Sequence, residues 1–223
     1  MNVTLLTYTP NPEKVVAMAA RTCYTSIPLS QLAENLTYEE ITKMVEKLSD
    51  MGHESPMEHV SFTFAIEGVS RALLAQITRH RLASYSVRSQ RYVSENNAVF
   101  IVPESINTPE AKAIYFSLLD DSLKAYDQLK KLGIKNEDAR MVLPNATETQ
   151  MIVTMNARSL MNFFSLRCCN RAQWEIRELA DEMLKLVREV APFLFAKAGA
   201  PCTYGTCPEG KMSCGKPRRI TDE

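Results

Sequence analysis

The sequence lacks any long hydrophobic run. No stretch of its 223 residues approaches the ~18 apolar residues of a membrane-spanning helix, so no membrane partner is expected. It also lacks a basic segment followed by an apolar one at Met1-Asn2-Val3-Thr4, so no signal peptide is expected and the expected location is cytoplasmic. Net charge is missing as well. The 26 basic residues balance the 26 acidic ones, which argues against a protein that coats nucleic acid, since such proteins carry a basic excess. There are no internal repeats and no low-complexity tracts, which excludes solenoid arrays and compositionally disordered chains. A further absence is local. Lysine is missing between Lys47 and Lys112, and again between Lys135 and Lys185.

What is present describes a globular protein. Apolar residues make up 45% and charged residues 23%, close to ordinary domains, so a core can form without disulfides or metals. In a reducing compartment Cys23, Cys168, Cys169, Cys202, Cys207 and Cys214 are expected to be thiols.

Val3 to Tyr8 is a β-branched run and reads as an opening strand. Asn11-Pro12 opens a helix to about Cys23, with Asn as cap. Thr37-Tyr38-Glu39-Glu40 is a capping box, and the helix it starts ends at Gly52. Val60, Phe62, Phe64 and Ile66 alternate with polar or small residues as a half-buried strand, followed by a helix from about Ser70 to Arg79. Tyr92-Val93 and Ala98 to Val102 read as further strand. Thr108-Pro109 opens a long helix ending near Gly133, and a short helix spans about Asn136 to Val142. Thr149 to Met155 reads as strand, and helices follow over about Ser159 to Arg167 and Ala172 to Lys197, closed by Gly199. Trp174 reads as core. Residues 1–200 form the expected domain, and 201–223 a Cys- and Gly-rich tail. With too few βαβ units for a doubly wound sheet, the class is α+β.

The two lysine-free regions still hold ten arginines: Arg71, Arg79, Arg81, Arg88 and Arg91 in the first, Arg140, Arg158, Arg167, Arg171 and Arg177 in the second. A solvated face mixes the two residue types. The guanidinium fork binds phosphate or carboxylate through paired hydrogen bonds, which an ammonium does not. Any one of these arginines has an internal salt bridge as its simplest role; the two clusters together point to anionic ligands held in fixed geometry. RNA binding would bring interleaved lysines and surplus positive charge. Ser84, Tyr85, Ser86, Ser89 and Tyr92 add neutral donors suited to phosphate and sugar oxygens.

The run RHRLASYSVRSQRY, Arg79 to Tyr92, resembles the signature of the flavin-dependent thymidylate synthases: Arg-His-Arg, seven residues, then Ser. GHESPMEH (Gly52 to His59), ARMVLP (Ala139 to Pro144), NARSLMNF (Asn156 to Phe163), Leu166-Arg167 and AQWEI (Ala172 to Ile176) follow the same family in the same order. The resemblance covers roughly Met1 to Gly199. It implies conversion of dUMP to dTMP, with methylenetetrahydrofolate as carbon donor, FAD as redox relay and NADPH as reductant. It also implies an antiparallel sheet flanked by helices, and a homotetramer with shared active sites.

Residue by residue, the resemblance assigns Arg79, His80, Arg81, His53, Ser55, Asn156, Arg158 and Asn162 to FAD. It assigns Gln76, Arg79, Ser89, Gln90, Arg91 and Arg140 to dUMP, with Arg88 beside them as a further substrate contact, its charge meeting a phosphate or folate's glutamate tail. Gln76 and Arg79 are expected on one helix face, as are Arg158 and Asn162. Arg167 matches the arginine facing the uracil ring, where its charge would favour the ionised ring. Where the family pattern carries Glu, this chain has Val87, so that substrate contact is lost, made by backbone or replaced.

His53, Glu54, Glu58 and His59 have no further ligand set beside them, so no metal is expected there. Ser89 lacks an adjacent base for a nucleophile's role. Cys202, Cys207 and Cys214 with Cys168 or Cys169 would suffice for a four-thiolate zinc site, and reduced thiols are preferred. A non-catalytic flavin- or nucleotide-binding module is the alternative function.

Overall fold

A computed structural model describes residues 1–218; residues 219–223 of the expected tail lie outside the described residues. The elements are β1 (Asn2–Tyr8), α1 (Pro12–Thr22), α2 (Leu29–Asn35), α3 (Tyr38–Met51), β2 (Ser61–Ser70), α4 (Arg71–Ile77), β3 (Ala83–Val87), α5 (Pro109–Lys131), α6 (Asn136–Ala139), β4 (Glu148–Asn156), α7 (Ala157–Arg167) and α8 (Trp174–Val190). The strands form one antiparallel sheet in the order β1-β2-β4-β3. The fold is therefore α+β, as the element pattern implied. The chain divides into two compact units. One holds Met1–Asn2, Ile66–Arg79 and Ser86–Ile152; the other holds Val3–Ala65, His80–Tyr85 and residues 153–218.

In the second unit, α1, α3, α7 and α8 supply the helical side of the core. Thr37 and Glu40 make the reciprocal capping box at the start of α3, and Gly52 ends that helix at φ 68, a left-handed conformation that a side chain would strain. Phe62 and Phe64 of β2 and Met155 of β4 are buried with Phe163, Phe164, Ile176, Leu179 and Phe195. A series of edge-to-face ring contacts runs from Phe62 through Phe195, Phe164 and Phe163 to His80, with centroids 5.3, 6.0, 5.8 and 5.0 Å apart. In the first unit, Ile66, Val69, Leu73, Ile77, Leu119, Tyr126 and Met151 are buried. Ser70 caps α4 by accepting from the Leu73 amide, and Thr108 caps α5 by accepting from the Ala111 amide.

Several local expectations are corrected. Asn11 stands before α1 but adopts a left-handed conformation, φ 49, and makes no side-chain cap. α4 ends at Ile77, so Arg79 lies beyond the helix rather than on its face. Residues 92–93 and 98–102 form no strand; Phe100 makes only an isolated bridge with Thr147. The serine-bearing segment Ala83–Val87 is the strand instead. α8 stops at Val190, because Pro192 removes a donor and forces Ala191 out of the helical region, to φ −147. Trp174 opens α8 half-buried rather than inside the core.

Candidate functional site

In the second unit, the turn Ser55–His59 packs against α1 and α7. His53, Ser55 and His59 line a cavity of about 470 Å³ with Cys23, Tyr24 and Met44. That volume lies within the usual range for small-molecule sites. Asn156 ends β4 and caps α7, its side chain accepting from the Ser159 amide at 2.8 Å. Arg158 and Asn162 follow on α7, both exposed and four residues apart, so they share a face as expected. Arg158 is ion-paired with Glu58 and, at 3.4 Å, with Glu54, which ties the first turn of α7 to the Ser55–His59 turn. Arg81 is exposed.

Arg167 is the last residue of α7, and its Nε donates to Nε2 of His80 at 3.0 Å. That bond requires His80 to be neutral at Nε2. Burial, and then the adjacent Arg167 charge, push the imidazole down from its ordinary 6.5 to about 4, so it is neutral at pH 7. Phe163 packs edge-on against the same ring. Tyr85, read from the sequence as a donor to phosphate or sugar, donates to the His80 carbonyl at 2.9 Å, and burial raises its phenol to about 12. The second unit thus holds a guanidinium in one orientation by an uncharged acceptor, which leaves its positive charge unneutralised by that partner.

In the first unit, the turn after β3 carries Ser89, Gln90 and Arg91. The Ser89 hydroxyl accepts from the Arg91 amide at 3.2 Å, and Gln90 is buried. Arg91 donates to the Glu137 carboxylate at 3.0 Å, while Arg140 donates to the Glu137 carbonyl at 3.2 Å. Arg88 is paired at 3.0 Å with Glu95, whose side chain is 3% exposed. Arg71 donates to Thr149 at 3.2 Å. Burial lowers Arg71, Glu95 opposes that shift, and the charges of Arg140 and Arg88 reinforce it. Within this linked set four guanidiniums face two carboxylates, an excess of two positive charges. Gln76 is half-buried on α4, and the Arg79 amide donates to its carbonyl at 3.3 Å. Val87 closes β3 and leaves no carboxylate at that position.

Glu95, Glu137 and Tyr85 hold assigned residues in place, yet local sequence offered no signal for these roles. Arg71 was visible only as one of a cluster. Among the described residues, no three His, Cys, Asp or Glu side chains gather so as to hold a metal ion, and all six cysteines are free thiols. Cys169, Cys202 and Cys207 line a cavity of about 210 Å³.

Comparison with known proteins supplies a family. The model of the thymidylate synthase complementing proteins matches residues 4–193. A flavin-dependent thymidylate synthase of Clostridium tetani is 51% identical over 97% of this chain and 94% of its own length. One from Geobacter sulfurreducens is 51% identical over 99% and 96%. Among solved structures, a flavin-dependent thymidylate synthase of Helicobacter pylori, in complex with FAD and dUMP, aligns with a TM-score of 0.73 at 27% identity. That alignment covers 89% of this chain and all of the other.

Proposed function

This chain belongs to the flavin-dependent thymidylate synthase family, and from that premise we propose that it converts dUMP to dTMP with methylenetetrahydrofolate as carbon donor and NADPH as reductant. FAD is the cofactor of the family and relays hydride between reductant and acceptor when bound. The chain's own residues fit such a ligand. His53 and Ser55 sit on the wall of a ligand-sized cavity, and Arg158 and Asn162 lie exposed on one helix face. These four would hold FAD, together with Asn156, Arg79, His80 and Arg81.

Ser89, Gln90, Arg91 and Arg140 would hold the nucleotide phosphate, with Gln76 and Arg79 on the nucleotide as well. The single observation that carries this reading is the charge excess of the arginine set. Two uncompensated positive charges match a phosphate monoester, which is close to a dianion at pH 7. Arg167 would face the uracil ring. Its Nε is held by neutral His80, an acceptor that carries no opposing charge, and its positive charge would favour an ionised ring.

A homotetramer is part of the same proposal. Ile114 and Leu118 lie one turn apart on α5 and are 73% and 63% exposed, as residues awaiting coverage by another copy would be. Light scattering that gives four copies supports this; a monomer contradicts it. The functional reading is tested by absorption spectroscopy of the purified protein. A flavin spectrum that bleaches with NADPH and shifts on adding dUMP supports it. Absence of FAD binding refutes it.

A further inference from the structure

Arg88 immediately precedes the Ser89–Arg91 turn, yet its side chain points inward. Nη2 contacts both Glu95 carboxylate oxygens, at 3.0 and 3.3 Å, and the Glu148 carbonyl at 3.3 Å. Nε is buried without a partner, and the backbone amide is fixed on the Gln150 carbonyl at 3.0 Å. Glu95 is equally committed. Its amide donates at 3.2 Å to the hydroxyl of Tyr126, which is fully buried on α5. The ion pair therefore joins the two ends of the segment 88–95, and the turn lies inside the loop that it closes. The Val93 amide donates to the Ser89 carbonyl at 3.0 Å within that loop.

We propose that Glu95 is a positioning residue for the phosphate-binding turn, holding Arg88 as an internal anchor rather than as a phosphate ligand. The proposal rests on the reading of Ser89, Gln90 and Arg91 as the dUMP phosphate site. Glu95 also sets the charge of the site, because it is one of only two carboxylates in the linked arginine set.

Charge and position predict opposite signs, which makes the proposal testable. Glu95→Gln keeps the shape of the side chain and raises the arginine excess from two to three. Charge alone therefore predicts unchanged or tighter dUMP binding. Positioning predicts weaker binding, because Arg88 loses its charged partner and the loop its closure. The expected loss is about tenfold or more in dUMP affinity, the scale of small misplacements at a binding site. It should be concentrated on dUMP rather than on phosphate-free deoxyuridine, with KM for dUMP rising more than kcat falls.

FAD affinity serves as the control and should change by less than about twofold, because none of its assigned ligands touches Glu95. Should the Gln variant not fold, Glu95→Asp provides the second measurement. It keeps the charge but withdraws the carboxylate by one methylene, and dUMP binding should again weaken. Unchanged or tighter dUMP binding in whichever variant folds overturns the proposal, provided the parent protein binds dUMP. A parent protein that binds no dUMP overturns the functional reading along with it.

Discussion

Replacing His80 by Ala tests how far its imidazole orients Arg167, with flavin content measured because His80 is also assigned to FAD. The substitution removes the acceptor of the 3.0 Å bond from Arg167 Nε and the ring that packs on Phe163 at 5.0 Å. A hydrogen bond to a charged group contributes ~1.5–3 kcal/mol and an edge-to-face ring pair ~0.5–1.5 kcal/mol. His80 is only half-buried, so the lower ends apply, giving about 2 kcal/mol of folding stability. The hydrogen-bond share, about 1.5 kcal/mol, is what His80 contributes to orienting the guanidinium and corresponds to about tenfold in turnover per bound flavin. The assay is dTMP formation normalised to flavin content, alongside urea unfolding. His80→Asn restores an acceptor but not the ring, so it should recover turnover more than stability. Unchanged turnover per flavin in the Ala variant would show that His80 does not orient Arg167. So would an activity loss explained entirely by lost FAD.

Other outcomes follow from the same contacts. His80 titrates near 4 when folded against an ordinary 6.5 when unfolded, so its contribution is complete above pH 6.5 and is lost as pH falls toward 4. The urea midpoint should drop across that window more steeply in the parent protein than in His80→Asn, and equal slopes would contradict the assignment. Arg81→Lys should weaken FAD binding, since a point charge does not reproduce a fork; equal affinity counts against its assigned contact. Glu13 accepts from the Phe193 and Leu194 amides at 2.8 and 3.1 Å. Glu13→Ala should therefore cost ~1–3 kcal/mol in urea unfolding with FAD affinity retained, and an unaltered midpoint would show those bonds to be dispensable.

Much of the fold was legible where local chemistry decides it. The Thr37–Glu40 capping box, the Thr108-Pro109 helix start and the alternation of Val60 to Ile66 each concern residues within a few positions of one another. Failures occurred where distant partners decide. Ala83–Val87 is a strand because β4 pairs with it, and residues 98–102 are not a strand because no neighbour continues the ladder beyond the Phe100–Thr147 bridge. α8 ends at Val190 rather than near Gly199 because Pro192 cannot continue the helix. The arginine clusters were legible because lysine is missing around them. Their partners Glu95 and Glu137 were not, since an acidic residue in a loop looks the same whether it is solvated or lies 3.0 Å from a guanidinium.

Chromatographic detection of dTMP decides whether this chain synthesises it. The purified protein is supplied with FAD, NADPH, dUMP and methylenetetrahydrofolate. dTMP should form only when all four are present, with the yield abolished or sharply reduced in Arg167→Ala while FAD stays bound. Flavin-replete protein that binds dUMP yet forms no dTMP would contradict such synthesis and favour a binding module without catalysis.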